Sequence, residues 1–295
     1  MSPQVYFITG ANKGLGYEAA RIVAEKFRDQ AVVLLGTRSL KNGEAAIAKL
    51  KDANPSFGYA NVHLVEIDVS NKQSIQAAAD FVKAKYGHVH VLINNAGMLG
   101  QLEGSEMCLQ VNVYGVYETL LAFHPLLVPH QSTHIVVAST LGAWTLDALS
   151  PELQAIFEDF NALDIDSLRA LLDDWLASSQ GKTSKYIWPT LEETSGAYGI
   201  SKMAVLALTR KSAIDYPEVK TVMVCPGYCA TDISGHTGYL TAAQGGEHIL
   251  YPILHPESTE RGDSTARANF SRSKTLVLPN LLESKARIVS LGMHN

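Results

Sequence analysis

A tyrosine and a lysine lie four positions apart in the mostly apolar segment "AYGISKMAV", residues 197–205. On a helix, residues four apart share one face, so the phenol of Tyr198 and the ammonium of Lys202 can reach a single target. The same spacing occurs at Tyr216 and Lys220, but there a proline follows the tyrosine and interrupts a helix. The spacing alone therefore does not identify a site, and the rest of the chain must show what these groups act on.

Six apolar runs rich in β-branched residues alternate with segments in which apolar residues have a helical spacing. The runs are residues 5–9, 31–37, 61–67, 90–94, 133–139 and 220–225. The helical segments are roughly residues 15–28, 41–53, 71–86, 104–122, 192–215 and 241–254. This alternation indicates right-handed βαβ units, so we predict an α/β fold with a parallel sheet covered by helices on both faces. In such sheets ligands bind beyond the carboxyl ends of the strands.

Length and composition are those of an ordinary globular protein. The chain has 295 residues, of which 46% are hydrophobic and 18% charged, and we predict one domain over residues 1–295 rather than two small ones. No run approaches the ~20 apolar residues of a membrane span, and no basic stripe suggests a nucleic-acid partner. The three cysteines lack the paired spacing of a zinc site, so we expect neither a metal nor disulfides. The start "MSPQVYFITG" has no leader-like pattern, and we expect a cytoplasmic protein.

A glycine-rich turn, "TGANKGLG", separates the first strand from the first helix. Glycines there let the backbone approach a pyrophosphate, and the helix that follows offers free N–H groups at its positive end. A plain turn is the alternative. The candidate cofactor contacts in this turn are Gly10, Asn12, Lys13, Gly14, Leu15 and Gly16.

The second strand ends in "GTRS", which carries a cation and no acid. An acid at this place usually holds the ribose 2′-hydroxyl of NAD, whereas a 2′-phosphate calls for arginine. Arg38, with Lys13 from the glycine turn, therefore favours NADP, the alternative being two ordinary surface cations. Asp68 follows the third strand and either contacts adenine or caps the helix that begins near Asn71.

The remaining strands are also followed by small or polar residues. The fourth run ends in "NNAG", the fifth in "ASTLG" with Ser139, and the sixth in "CPGYCATD" with Pro226, Gly227 and Thr231. Because the carboxyl ends of parallel strands meet at one edge, we expect these residues to lie in one site.

These motifs, in this order, resemble the short-chain dehydrogenase/reductase family over residues 4 to about 255. The resemblance implies a Rossmann-type doubly wound parallel sheet in a three-layer αβα architecture. "GANKGLG", the gap of about 58 residues between Ser139 and Tyr198, and "SPELQAIF" followed later by "WP" are similar to the monomeric NADPH-dependent carbonyl reductases. The family also implies a further strand, for which "NFSRSKTLV", residues 269–277, is the candidate.

The resemblance places the family's catalytic residues on Asn112, Ser139, Tyr198 and Lys202. It implies that Tyr198 donates a proton to the carbonyl oxygen while NADPH delivers hydride, and that Ser139 stabilises the developing charge. Lys202 would hold the nicotinamide ribose, and a cation ~4 Å from the phenol would lower its pKa from ~10 towards ~7. Asn112 would support a water chain to Lys202. The structural alternatives are that Asn112 bends or caps its helix and that Ser139 ends a strand.

The remaining cofactor and substrate contacts are expected in the same motifs. The resemblance adds Asp68, Val69, Asn95, Ala96, Gly97, Pro226, Gly227 and Thr231, with Tyr198 and Lys202, to the cofactor contacts. The candidate substrate contacts are Ser139, Leu141, Trp188, Tyr198 and Tyr228, with Met98 and Ile233 in the segments expected to line the pocket. The pocket residues are mostly large and apolar, which favours bulky hydrophobic carbonyls. The alternative is that several of them belong to the core.

Residues 146–195 are expected to form a helical insert ahead of the helix that carries Tyr198. The stretch 146–197 holds ten acidic residues against three basic ones. Ser150 and Asp164 are candidate N-caps of two amphipathic helices. The second helix has the apolar stripe Leu168, Leu171, Leu172, Trp175 and Leu176. In the family, subunits pair through the helices at 104–122 and 192–215, and an insert folded over that face predicts a monomer. A lid over the substrate is compatible with the same arrangement.

Three functions are compatible with these residues. The first is NADPH-dependent reduction of a small-molecule carbonyl substrate. The second is an NADP-dependent alcohol dehydrogenase of one specific metabolite, and the third is a non-catalytic NADP-binding scaffold or sensor. The third would be marked by loss of a catalytic residue, and all four are present.

Overall fold

The computed structural model describes residues 2–256 and 276–277 and has a seven-stranded sheet at its centre. The strands are β1 (Gln4–Ile8), β2 (Ala31–Thr37), β3 (Val62–Glu66), β4 (Val91–Asn94), β5 (Thr133–Val137), β6 (Lys220–Cys225) and β7 (Leu276–Val277). Their order is β3-β2-β1-β4-β5-β6-β7. The first six strands are parallel, and β7 pairs antiparallel with β6.

The strand order reverses at β1, which pairs with β2 on one side and β4 on the other. Such a reversal opens a crevice at the carboxyl ends of the two strands, where doubly wound sheets bind their ligands. The predicted doubly wound α/β fold is confirmed, and the six predicted apolar runs coincide with β1 to β6 to within one or two residues at each end.

Eleven α-helices are found among the described residues. They are α1 (Gly14–Phe27), α2 (Leu40–Ala53), α3 (Lys72–Tyr86), α4 (Ser105–Leu109), α5 (Gly115–Phe123), α6 (Thr140–Asp147), α7 (Pro151–Glu158), α8 (Ile165–Ser179), α9 (Leu191–Thr194), α10 (Gly196–Asp215) and α11 (Ala242–Leu254). Side-chain caps set several starts: Ser39 Oγ accepts from Asn42 N, and Asn71 Oδ1 accepts from Ser74 N at 3.0 Å.

The sheet is buried on both faces, as the alternation of side chains along β1 shows. Tyr6 and Ile8 pack with residues of α1 and α11, whereas Val5 and Phe7 pack with residues of α3 and α5. Successive strand residues point to opposite faces, so a run with no polar interruption needs a helix layer on each side. The result is the predicted three-layer αβα arrangement.

The helix predicted over residues 104–122 is interrupted. Between α4 and α5 the chain forms a π-helical turn over Gln110–Tyr114. A π turn inserts one extra residue and often occurs at a functional site. Asn112 lies in this turn, and its side chain bonds to the backbone of Met98, outside the helix. The widened turn thus accompanies the contact between Asn112 and Met98. Helical periodicity in the sequence cannot predict a contact between two separate segments.

Two helices of the insert were predicted and are confirmed as α7 and α8. Ser150 Oγ accepts from Leu153 N at 3.3 Å, and Asp164 Oδ1 accepts from Ser167 N at 2.8 Å. Four residues of the predicted α8 stripe are buried and Leu176 is partly buried. The stripe packs in one cluster with Cys108 and Leu109 of α4, Val113 of the π turn, and Ile200, Met203, Ala204, Ala207 and Leu208 of α10. The insert therefore covers part of the face formed by α4 and α10.

The candidate for the further strand lies at the limit of the described residues. Leu276 and Val277, the last two residues of "NFSRSKTLV", form β7, whereas residues 269–275 and 278–295 lie outside the described residues. Within the described parts of the chain, none of the helices combines the length and the apolar character needed to cross a bilayer.

Candidate active site

Tyr198 and Lys202 lie in the first turns of α10, beside the end of β5. Lys202 is buried, and its Nζ donates a 2.7 Å hydrogen bond to the backbone oxygen of Val137. The same Nζ is 5.7 Å from the centre of the Tyr198 ring. The helix thus presents both groups to the carboxyl edge of the sheet, as their spacing predicted.

Burial acts on the pKa of both groups. It lowers the pKa of Lys202 to about 8, because a desolvated ammonium favours its neutral form. It also raises the pKa of the Tyr198 phenol, and a hydrogen bond with Ser139 partly opposes that rise. The expectation that Lys202 brings Tyr198 towards 7 is wrong for this structure. The ammonium is itself desolvated and donates to Val137 O.

Ser139 begins α6 rather than merely ending β5. Its Oγ accepts a 3.2 Å hydrogen bond from Leu141 N, and the side chain is partly buried. The hydroxyl also hydrogen-bonds with Tyr198. The structure therefore brings Ser139 and Tyr198 together in one polar group, with Lys202 adjacent.

The side-chain amide of Asn112 is fully engaged in the fold. Its Nδ2 donates to Met98 O at 2.8 Å and to Ser201 Oγ at 2.9 Å, and its Oδ1 accepts from Met98 N at 2.9 Å. Both amide hydrogens have partners in the protein. The structural alternative, a residue that shapes its helix, therefore agrees with the π turn, and the water chain to Lys202 stays a prediction.

The glycine turn fits closely against the "NNAG" segment. Gly10 has φ +63°, and a Cβ there would lie 2.9 Å from Ala96 Cα. A Cβ on Gly16 would lie 2.4 Å from Asn95 Nδ2, which donates to Thr9 O at 2.8 Å and to Gly10 O at 3.2 Å. Two segments far apart in sequence therefore form one tight backbone cradle at the end of β1.

Thr9 was not among the predicted site residues. It is buried, and its Oγ1 accepts from the backbone N of Asn95 and of Ala96, both at 3.0 Å. The sequence did contain a sign of this role, because Thr9 is the one hydroxyl-bearing residue between the apolar first strand and the glycine turn.

The predicted residues after β6 also reach the glycine turn. A Cβ on Gly14 would lie 3.8 Å from Thr231 Cγ2, so the loop after β6 passes over the start of α1. Pro226 O is hydrogen-bonded to His248 of α11 at 2.8 Å, and Gly227 has φ +88°. Elsewhere at this edge, a Cβ on Gly97 would lie 3.3 Å from Asn112 Oδ1. Of the other predicted contacts, Leu15 is partly buried and Val69 is buried.

The capping alternative for Asp68 is wrong, because the cap of α3 is Asn71. Asp68 Oδ1 accepts instead from Ser70 N at 2.9 Å and from Ser70 Oγ at 2.7 Å. The carboxylate forms a local turn and is only partly buried.

A cationic cleft of about 440 Å³ opens at the end of β2. It is lined by Asn12, Lys13, Thr37, Arg38, Asn42, Ala45, Ala46 and Lys49. Lys13 and Arg38 are thus brought together, as predicted. Lys49 was not predicted, although a helix over 41–53 places positions 42 and 49 on one face. No carboxylate is among the lining residues.

Lys13 has a carboxylate neighbour outside the cleft lining. Its Nζ lies 2.7 Å from Asp232 Oδ2, and both side chains are exposed. Lys13 holds the pKa of Asp232 below its usual value. An exposed ion pair contributes only about 0–1 kcal/mol, so Lys13 can exchange this partner for another anion at small cost.

The predicted substrate contacts divide into two groups. Trp188 is buried in the insert cluster, its ring 6.3 Å from that of Phe157, and its Nε1 donates to Asp174 at 2.8 Å. It therefore belongs to the core, which was the alternative for these positions. Leu141 and Met98 are partly buried, and Met98 packs against a core cluster.

Tyr228 and Ile233, by contrast, are about half exposed in the loop after β6, and the Tyr228 hydroxyl hydrogen-bonds with Thr237. Further large apolar side chains that were not predicted are exposed in the segments after β4, β5 and β6 and in the insert. They are Leu102, Trp144, Ile187 and Tyr239.

Comparison with known proteins agrees with the fold and the motifs. The family model described as short chain dehydrogenase matches residues 4–149. The chain is 32% identical over 283 residues to short-chain dehydrogenase/reductase 1 of Saponaria officinalis, covering 86% of this chain and 91% of the relative. It is 29% identical over 299 residues to (+)-neomenthol dehydrogenase of Capsicum annuum, covering 86% and 93% of the two chains. It is 29% identical over 274 residues to the carbonyl reductase (NADPH) 3 of Rattus norvegicus, covering 87% and 93%.

Among solved structures, salutaridine reductase from Papaver somniferum is similar to this chain with a TM-score of 0.73 and 26% identity, covering 86% of this chain and 96% of that one. The chain therefore belongs to the short-chain dehydrogenase/reductase family, whose members are oxidoreductases that use nicotinamide cofactors.

Proposed function

We propose that this protein reduces carbonyl compounds, among them ketones, aldehydes and quinones, to alcohols with NADPH. The observation that carries the proposal is the convergence of Ser139 and Lys202 on Tyr198 at the carboxyl edge of β5. A carbonyl reductase and a solved reductase among the similar proteins support the same class of reaction.

The residues present fit a dinucleotide carrying a 2′-phosphate. The glycine turn packs on "NNAG" with no room for a Cβ at Gly10 or Gly16, and a glycine turn held in this way between β1 and α1 supports a close backbone approach to a pyrophosphate. The N-cap residue of α1 is Lys13, whose side chain has no acceptor for the first N–H groups of the helix, so the helix start can bind an anion. The cleft with Lys13, Arg38 and Lys49 would hold the 2′-phosphate. When bound, the cofactor supplies the hydride for the carbonyl carbon.

Tyr198 would supply the proton. Its raised pKa keeps the phenol protonated at neutral pH, which a proton donor needs. Lys202, with a pKa of about 8, is mostly cationic at pH 7 and would stabilise the phenolate left after transfer. Ser139, hydrogen-bonded to Tyr198, would bind the same carbonyl oxygen and stabilise its developing charge.

The exposed apolar residues support a substrate class. Trp144 follows Ser139 on α6, and Tyr228, Ile233 and Tyr239 follow β6, so all lie beyond the carboxyl ends of strands that carry the site. Such side chains remove apolar surface of a ligand from water. We expect bulky hydrophobic or aromatic carbonyls to be preferred over small polar sugars.

One experiment tests the function and its alternatives. NADPH oxidation is followed with a panel of aromatic ketones, quinones, aliphatic aldehydes and polar aldoses, and NADP reduction is followed with the matching alcohols. Turnover of aromatic ketones or quinones well above aldoses is expected. A single alcohol oxidised far faster than any carbonyl is reduced would favour the alternative, an NADP-dependent dehydrogenase of one metabolite, which the similarity to a neomenthol dehydrogenase also supports. Binding of NADPH without any turnover would favour the non-catalytic scaffold or sensor.

The insert supports a monomer, because α8 covers residues of α4 and α10 that would otherwise be free for subunit pairing. Light scattering coupled to size exclusion at micromolar concentration should give a mass of ~32 kDa. A stable dimer built on α10 would show that the insert does not mask this face. The single domain over 1–295 and the cytoplasmic location stay predictions.

A further inference from the structure

Ser201 is a buried hydroxyl that joins two residues of the proposed machinery. It lies on α10 between Tyr198 and Lys202 and is fully inaccessible to solvent. Its Oγ donates a 2.7 Å hydrogen bond to Tyr198 O and accepts a 2.9 Å hydrogen bond from Asn112 Nδ2. Ser201 was not among the predicted site residues.

The direction of these bonds is fixed by their neighbours. Met98 N donates to Asn112 Oδ1, so the amide nitrogen of Asn112 must face Met98 O and Ser201. A serine hydroxyl has one hydrogen, and Tyr198 O can only accept, so that hydrogen points to Tyr198 O. The Ser201 oxygen is therefore the acceptor for Asn112. The link runs without a gap from the Met98 loop to the backbone of Tyr198.

Other hydroxyls of α10 show that this link is specific. Thr209 Oγ1 and Ser212 Oγ also donate to backbone oxygens of their own helix, Val205 O and Leu208 O, at 2.6 and 2.8 Å. Both make this bond to the residue four positions back, and neither accepts from a side chain of another element in the described part of the chain. Ser201 alone of the three bonds three positions back, to Tyr198, and connects α10 to the π turn.

We propose that Ser201 is a positioning residue that fixes the phenol of Tyr198 by tying its backbone to Asn112. The inference rests on the proposed function, because it assumes that Tyr198 donates the proton. Proton and hydride transfer demand that the reacting groups be held to a fraction of an ångström, and a displacement of about 1 Å can cost 10²-fold in rate. Most of the predicted cofactor contacts lie outside this link, on the glycine turn, in the cationic cleft and after β6, so NADPH affinity should change little when the link is broken.

The test compares Ser201→Ala with Ser212→Ala in the full-length protein. Both changes remove a buried hydroxyl from the same helix, but only the first breaks the link. The assay uses a carbonyl substrate of the wild type. With it, we expect Ser201→Ala to lower kcat by about tenfold. The Kd for NADPH, measured by fluorescence titration, should stay within twofold. For Ser212→Ala, both values should stay within twofold.

A double-mutant cycle makes the test sharper. If Ser201 acts through the link, adding Ser201→Ala to Asn112→Ala should lower kcat by less than twofold further, because the first change has already broken the link. If Ser201→Ala does not fold, Ser201→Cys keeps the volume with a weaker donor and should lower kcat by at least threefold.

Four results would overturn the proposal. The first is a kcat of Ser201→Ala within twofold of that of Ser212→Ala, and the second is a loss of NADPH affinity in Ser201→Ala that parallels its loss of kcat. The third is a kcat of the Asn112→Ala, Ser201→Ala double variant that falls by the product of the two single losses. The fourth is a wild-type kcat in Ser201→Cys. A Tyr198→Phe variant as active as the wild type would instead refute the proposed function itself. An inactive Tyr198→Phe with a normal Ser201→Ala would refute only the role of Ser201.

Discussion

The two ends of the crevice differ in almost every physical property. At the end of β2, Lys13, Arg38 and Lys49 are exposed cations around a cleft. At the end of β5, Lys202 is buried, the pKa values of Lys202 and Tyr198 are shifted, and neighbouring polar side chains are hydrogen-bonded within the protein. One end suits the capture of an anion from water, and the other suits a proton transfer shielded from water.

The two ends should therefore respond differently to substitution. Exposed charges act additively, are screened by salt and tolerate substitution, so each cation is expected to contribute a modest share of cofactor affinity. Buried groups act as a unit, and loss of one leaves another unpaired or misplaced. Substitutions at the buried end are expected to have the largest effects, and substitutions of single exposed cations the smallest.

Tyr198→Phe should remove nearly all turnover and leave NADPH binding intact. The ring keeps its packing, and only the proton donor is lost, so the chemical step should slow by ~10²-fold to 10⁴-fold. Single-turnover kinetics with saturating NADPH measures that step, and fluorescence titration measures cofactor affinity. A rate within tenfold of the wild type would show that another group donates the proton.

Arg38→Ala should act on cofactor choice and not on chemistry. A charge-assisted hydrogen bond contributes about 1.5–3 kcal/mol, so kcat/KM with NADPH should fall by ~10-fold to 100-fold while kcat/KM with NADH hardly changes. The wild type should accordingly prefer NADPH by ~10²-fold or more. Equal kcat/KM values for the two cofactors in the wild type would show that the cleft does not bind a 2′-phosphate.

Lys202→Met should stabilise the cofactor-free protein while it removes activity. The folded pKa of about 8 lies below the ordinary ~10.4, so the unfolded chain holds this proton more firmly. The free-energy cost of burying the Lys202 ammonium is complete below about pH 8 and vanishes as the pH rises through about 10.5. The free energy of unfolding of the wild type should therefore increase between these two pH values. At pH 7 we expect the variant to gain about 1–2 kcal/mol in urea unfolding, less than the pKa shift alone suggests because Val137 O loses its partner.

A substitution among the exposed cations at the end of β2 provides the control for this stability prediction. Arg38→Ala should alter the free energy of unfolding by less than about 0.5 kcal/mol at any pH between 7 and 10, as exposed substitutions usually do. A Lys202→Met variant that is less stable than the wild type at pH 7 would show that its hydrogen bond to Val137 O outweighs the cost of burying the ammonium.

Much of the fold could be predicted because it depends on local signals. Apolar runs of strand length, a glycine turn after the first of them, and caps such as Ser150 and Asp164 are set by neighbouring residues. The arrangement of Lys13 and Arg38 followed from topology, since parallel strands end at one edge.

What the sequence did not reveal depends on contacts between distant segments. The π turn at Asn112 accompanies bonds to Met98, and Trp188 lies in the core because Asp174 and Phe157 surround it. The pKa of Tyr198 could not be derived from its spacing to Lys202, because the spacing does not show that the phenol is buried, and burial raises that pKa. Spacing shows which groups can meet, whereas solvation decides which charge state they adopt.

Lys49→Ala should have the smallest effect, and it tests whether the cleft acts as a whole. Lys49 lines the cleft beside Arg38, with its Nζ 5.0 Å from the centre of the Tyr17 ring, whereas Lys51 lies on the same helix, is exposed and is absent from the cleft lining. An exposed cation contributes about 0.2–1 kcal/mol, so Lys49→Ala should weaken NADPH binding by ~2-fold to 5-fold and leave NADH binding unchanged. Lys51→Ala should change neither, and the loss in Lys49→Ala should shrink as salt rises from 0.05 to about 0.5 M, because screening shortens the reach of an exposed charge. Equal losses for both variants would mean that the general positive field of α2 attracts the cofactor, and a loss that persists in high salt would mean that Lys49 shapes the cleft through its contact with Tyr17.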